Sequence, residues 1–160
     1  MIRCSSSVLA QALDAWLTVP EEKRPVEKTV LGMLRNSSVY VETEFLSLAQ
    51  ALEGFHRLKG TDKTFSERIK DVYDMLGPEF ATKLLGNKDE FARRVVQTRN
   101  FFTHLGISPG MDVARGAGDI FDLNQKLHAL IRCVMLIQLG IPETDLREPI
   151  SYQASRYKLR

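Results

Sequence analysis

Cysteine is scarce in this chain, with two in 160 residues. Cys4 and Cys133 stand far apart and form no Cys-x-x-Cys pair, so no disulfide framework is expected. The three histidines, His56, His104 and His128, do not combine with them at a recognisable metal-ligand spacing. There is no Gly-rich phosphate loop of the Walker type and no Gly-x-Ser-x-Gly elbow. Neither a metal nor a cofactor is therefore expected. The ten glycines and six prolines cluster between periodic segments, which argues against long disordered tracts. Charge of one sign is lacking too: the net value of +2 is too small to name a partner. Long apolar runs are missing as well. The most apolar stretch, near 120–139, is broken by Lys126, His128 and Arg132, and reads as a core helix, not a membrane span. The opening Met1-Ile-Arg-Cys-Ser-Ser-Ser has no signal-peptide apolar stretch. A cytoplasmic location without membrane association is the default expectation.

What the chain does have is helical periodicity. Its 44% hydrophobic and 26% charged residues fit one soluble domain, 1–160, long enough to bury a real core. No alternating strand pattern stands out. Helices are expected over about 8–18, 25–35, 39–59, 64–76, 78–85, 88–105 and 119–139, with a short one near 151–157. Ser7, the run Asn36-Ser37-Ser38 and Asn87 are the expected caps; Gly77-Pro78, Gly86, Gly106 and Gly140 are the expected stops. Gly60 to Lys63 reads as a turn and Ile107 to Gly118 as a loop. In the third helix Val41, Phe45, Leu48, Leu52 and Phe55 form one apolar stripe. Trp16 with Leu9, Leu13 and Leu17 reads as core, as do Cys133 and His128. The fold class is all-α: a compact bundle of about six to seven helices.

The richest segment is Phe91 to Leu105. At about 100° per residue, Phe91, Val95, Thr98, Phe102 and Leu105 share one sector and should face the core. Arg93, Gln97, Asn100 and His104 fall on the other side. Arg99 lies on the flank, about 140° from His104. A cation, an amide and a titratable imidazole near one helix end suffice, without metal, to bind a phosphodiester and move its protons. The plain alternative is the wet side of an amphipathic helix. Two features argue for more. His104 falls in the last turn, where the helix dipole favours a cation. Phe101 lies beside the polar stripe, and an exposed aromatic there suggests a partner surface. Basic residues also gather nearby: Lys83 to Arg115 holds six against three acidic, and Arg147 to Arg160 four against one.

Arg99-Asn100-x-x-x-His104, near the end of a helix in an all-helical domain, resembles the signature of the HEPN superfamily. That signature is an Arg, a few residues, then His, often with a polar residue directly after the Arg. Phe45-Leu-Ser-Leu-Ala-Gln-Ala-Leu-Glu-Gly-Phe-His-Arg57 and Phe91-Ala-Arg-Arg-Val-Val-Gln-Thr-Arg-Asn-Phe-Phe-Thr-His104 resemble the HEPN module of ApeA-like proteins. These are bacterial phage-defence proteins that carry the module at the carboxyl end of a longer chain. The resemblance covers about residues 39–139. With the abrupt start at Met1-Ile-Arg, it raises the expectation of an excised module with a regulatory amino-terminal domain in the longer chain.

The resemblance implies a metal-independent endoribonuclease, toxic when active, that works as a homodimer with one composite cleft between two motif helices. Phe101 and His104 would then meet the dimer partner. His104 would serve as general base or acid at the ribose 2′-hydroxyl or the leaving 5′-oxygen, since an imidazole titrates near neutrality. Arg99 would offer its planar fork of donors to the phosphate. Asn100 would orient His104 at i+4 or donate to the phosphate. RNA is the expected partner, because the nucleophile is the 2′-hydroxyl, and the family resemblance points to transfer RNA. The expected ends are a 2′,3′-cyclic phosphate and a 5′-hydroxyl.

Other residues leave alternatives open. Arg93, Arg94 and Gln97 bind flanking RNA or simply form a solvated helix side. Glu53 pairs with Arg57 at i+4, or with a motif arginine and so fixes its guanidinium. His56 is a support for the site or a satisfied semi-buried histidine. The competing functions are a non-catalytic module that binds RNA or nucleotide, and a helical dimerisation domain.

Overall fold

Ser5, Thr64 and Asn87 each cap the start of a helix with a side-chain oxygen, whereas Gly77 and Gly116 open theirs without one. The computed structural model describes residues 5–21, 24, 28–29, 31–32, 40–57, 62–104 and 112–156. Among these lie seven helices and no strand: α1 (Ser6–Leu17), α2 (Val41–Arg57), α3 (Phe65–Asp74), α4 (Pro78–Leu85), α5 (Lys88–Thr103), α6 (Ala117–Gln138) and α7 (Glu143–Arg156). The all-α bundle is thus as expected. The expected helix 25–35 lies largely outside the described residues, as do the Asn36-Ser37-Ser38 cap, half of the 60–63 turn, Gly106 and residues 107–111 of the 107–118 loop.

Thr64 and Glu67 close a capping box at α3: the Glu67 carboxylate accepts the Thr64 N–H at 2.8 Å, and the Thr64 hydroxyl accepts the Glu67 N–H at 3.3 Å. Asn87 caps α5 by accepting the N–H groups of Asp89 and Glu90 at 2.9 and 3.1 Å. Gly86 ends α4 at φ +87°, a backbone shape that a Cβ would disfavour. It lets the chain reverse directly into α5.

The first and last helices depart from expectation at their ends. The first helix is capped by Ser5, not Ser7, because the Ser5 hydroxyl accepts the Val8 N–H while Ser7 pairs with Ser5 itself. The last helix is far longer than 151–157. It begins at Glu143 and runs through Pro149, held by Leu146 and Ile150, which bury themselves one turn apart against the core. Packing outweighs the hydrogen bond that a proline forfeits.

The core is built chiefly from α2 against α6, with α5 resting on α2 and α3. Phe45, Leu48 and Leu52 of α2, Ile69 and Val72 of α3, Val95 of α5, and Leu127 and Leu130 of α6 are fully buried. Each large apolar side chain so placed contributes about 1.5–3 kcal/mol. A buried polar knot fixes how α2 and α6 register. The Asn124 amide donates to the Val41 carbonyl and to Glu44, both at 2.9 Å, and His128 Nε2 meets the other Glu44 oxygen at 2.9 Å. His128 is therefore structural, as expected, and Cys133 is a buried core residue.

The leucines of α1 are not core. Leu9, Leu13 and Leu17 are 51, 54 and 72% exposed. Ala12 is the buried residue of α1 and Val8 packs beside the core, so the leucine row turns about 100° away from the bundle.

Candidate functional site on the motif helix

The sector expected to face inward on α5 does so. Phe91, Val95 and Thr98 are buried, and Phe102 packs half-buried with its ring 6.3 Å from that of Phe45. Leu105 lies outside the described residues. On the outer side Arg93, Asn100 and His104 are exposed and Gln97 is partly covered.

Two of these side chains and buried Thr98 lace the returning chain to α5. Thr98 accepts the Ala114 N–H at 3.0 Å, Gln97 accepts the Asp112 N–H at 3.0 Å, and Arg93 pairs with the Asp112 carboxylate. Arg94 pairs with Asp119 at 2.7 Å. The residues expected to hold flanking RNA thus already have partners within the chain. Both arginine pairs are about half exposed, which limits each to about 0–1 kcal/mol.

Arg99 is held from two sides. Its Nη2 donates to Glu53 of α2 at 3.3 Å, and its guanidinium carbon lies 5.6 Å from the ring centre of Phe65, the first residue of α3. Of the two partners open to Glu53, the motif arginine is a recorded one. The side chains are 36 and 27% exposed. One contact of this length is looser than the usual charge-assisted bond of about 2.7–2.9 Å, and it engages one of five donors. The remaining fork stays available to a ligand.

His104 is the C-cap of α5, its N–H donating to the Asn100 carbonyl at 2.9 Å. Thr103 braces the same turn by donating its hydroxyl to the Arg99 carbonyl at 2.7 Å. The Asn100–His104 link is thus a backbone one. Among the described residues no hydrogen bond or ion pair joins Arg99 to His104. Phe101 is not freely exposed: it sits half-buried, edge-on to Phe102 at 5.2 Å, with Arg115 5.7 Å from its ring centre.

His56, one turn beyond Glu53 on α2, is buried, and its Nε2 lies 2.7 Å from Asp71. Lys63 reaches the same carboxylate oxygen at 2.5 Å. The Lys63 ammonium, followed by His56, holds the Asp71 carboxyl below its ordinary range. An ionised carboxylate only accepts, so His56 Nε2 carries the proton and donates. Sequence reasoning passed over Phe65, Lys63 and Asp71. The Thr64-x-x-Glu67 signature marks where α3 begins, but no spacing announces that Phe65 meets Arg99.

A cavity of about 260 Å³ lies toward the other end of α5, lined by Asn87, Glu90, Arg94, Asp119 and Lys126 among others, and Arg99, Asn100 and His104 take no part in it. Among the described residues no three or more His, Cys, Asp or Glu side chains gather as a metal site would need. No helix among them is long and apolar enough to cross a membrane.

The family model described as Apea-like HEPN matches residues 46–145. The matched span takes in Glu53, Arg99, Asn100 and His104. No curated protein and no solved structure matches the chain significantly. An all-helical bundle, a motif of Arg99, Asn100 and His104 at the end of one helix, and a family match across well over half its length make this chain a member of the Apea-like HEPN family.

Proposed function

We propose that this chain is a metal-independent endoribonuclease module of the toxin, abortive-infection type, acting in the cytoplasm against phage. It cleaves RNA, with transfer RNA the first substrate to test. One observation carries the reading: Arg99, only loosely tied and partly exposed, shares a helix end with exposed His104, yet among the described residues no hydrogen bond or ion pair joins the two, in keeping with the rotation of about 140° that their spacing implies. A single protomer therefore presents half of what each step requires. Two copies related by a twofold axis, meeting through Phe101 and His104, bring the Arg of one and the His of the other to one phosphodiester.

In that cleft one His104 takes the proton of the 2′-hydroxyl, and the oxygen attacks the adjacent phosphorus. The other His104 protonates the leaving 5′-oxygen. Arg99 donates to the non-bridging oxygens as charge grows on them. Asn100 steadies the phosphate from the exposed face. Arg93, Arg94 and Gln97, one to two turns back, track the flanking strand. Glu53 keeps the Arg99 guanidinium turned toward the cleft without occupying its fork.

The test is cleavage of total RNA, then of transfer RNA, by the purified chain in excess chelator, with analysis of the ends. We expect 2′,3′-cyclic phosphate and 5′-hydroxyl ends. Arg99→Ala and His104→Ala should each slow cleavage by about 100-fold or more, with fold and dimer intact. Cleavage that requires added Mg²⁺, or that survives both substitutions, would overturn the proposal. RNA binding that weakens in Arg99→Ala, with no cleavage by the unaltered chain, would favour a non-catalytic RNA-binding module. The looped pairs of Arg93 and Arg94 are equally compatible with that reading.

A further inference from the structure

We infer that Phe65 is a positioning residue for Arg99, and that the Asp71 clasp is what keeps Phe65 in place. The inference rests on the nuclease reading for its consequence in catalysis, but its geometry stands apart from it.

A long side chain anchored by one 3.3 Å contact to a partly exposed carboxylate still has rotamers to choose from. A second, independent restraint narrows that choice. The Phe65 ring supplies it: the guanidinium carbon lies 5.6 Å from the ring centre, within the range of cation–π attraction. Glu53 restrains the fork through one nitrogen, while the ring restrains it through a face and leaves the N–H donors free.

For this to work, Phe65 must itself be fixed relative to α2 and α5. It is the first residue of α3, and the two residues before it, Lys63 and Thr64, are both tied down. Thr64 is locked by the capping box with Glu67. The Lys63 carbonyl accepts from Arg68 Nε at 2.9 Å. The Lys63 ammonium reaches Asp71 at 2.5 Å, and Asp71 in turn holds His56 at 2.7 Å. Asp71 thus bridges the start of α3 to α2, three residues along from Glu53. The two groups that touch Arg99 come from two helices, and the clasp joins those helices beside it.

Substitution of the ring and of the clasp tests this in the intact chain. The side-chain Nε–H signal of Arg99, assigned by its loss in Arg99→Lys, should be resolved in a ¹H–¹⁵N spectrum and shifted by the ring. Phe65→Leu should remove that ring shift, Phe65→Tyr should retain it, and Asp71→Asn should diminish it while the helical circular dichroism is unchanged. In RNA cleavage, Phe65→Leu should lower kcat by about three- to tenfold at nearly constant KM, as the loss of one cation–ring contact implies, with Phe65→Tyr restoring it. An Arg99 signal that is the same in Phe65→Leu as in the unaltered chain would overturn the inference. So would an Asp71→Asn chain with an undisturbed Arg99 signal. Absence of any RNA cleavage with the spectral changes intact would instead sink the nuclease reading alone.

Discussion

The hydroxyl of Thr98 and the backbone N–H of Ala114 meet at 3.0 Å in the interior, sixteen residues apart along the chain. That bond anchors the returning segment to α5 at the residue directly before Arg99 and Asn100. Thr98→Val keeps the shape and removes the acceptor, leaving a buried N–H unpaired. The expected loss is about 1–3 kcal/mol in stability, measured by urea unfolding. A loss within error would mean that the segment finds another partner for that N–H.

Asn87 sets where α5 begins. Its side-chain oxygen satisfies the first free N–H groups of the helix. Asn87→Ala should cost about 0.5–2 kcal/mol, while Asn87→Asp should retain most of that. Thermal unfolding of the two variants side by side separates a capping role from mere surface polarity.

Acid should weaken the Asp71 clasp. The carboxyl of Asp71 is held below its ordinary value of 3.8, chiefly by Lys63 and next by His56. A carboxylate whose folded pKa is depressed adds stability above its unfolded value, and this is lost as pH falls through the folded one. Asp71→Asn should therefore be less stable than the unaltered chain near neutral pH. The gap should close only below 3.8. A gap that is constant down to strongly acidic pH would argue that the carboxylate charge is irrelevant to the clasp.

Cys133 should be inert in the folded chain. Burial, with a smaller push from Glu143, raises its thiol to about 12. At about pH 8 almost no thiolate exists to react. Iodoacetamide should leave the Cys133 peptide unmodified until denaturant is added, as read by peptide mass. Rapid labelling under native conditions would contradict the packing around α6.

Much of this architecture is written in local signals. Gly77-Pro78 and Gly86 are local breakers, and α4 spans 78–85 as they indicate. Asn87 before an apolar period marks the start of α5 equally well. The inner face of α5 follows from rotation alone. What was hidden is tertiary. From sequence the last helix is expected only near 151–157, and burial of Leu146 and Ile150 is what makes 143–150 helical as well. The Leu9, Leu13, Leu17 row shows that a periodic pattern reveals an apolar face but not whether anything covers it. At the site, the Arg–Asn–His spacing was visible because it lies within one helix. The Glu53–Arg99 contact spans 46 positions and was one of two options for Glu53. Phe65 and Asp71 gave no hint, because a ring and a carboxylate acquire meaning there only once α2, α3 and α5 are brought side by side.

The segregation of α5 into a packed half and a wet half has a practical corollary. Arg93, Asn100 and His104 carry little of the load that keeps the bundle folded, because Phe91, Val95 and Thr98 carry it on the opposite side. The outward row can therefore be rewritten residue by residue while the scaffold beneath stays as it is, so that a change in behaviour of such a variant reports on the surface and not on unfolding.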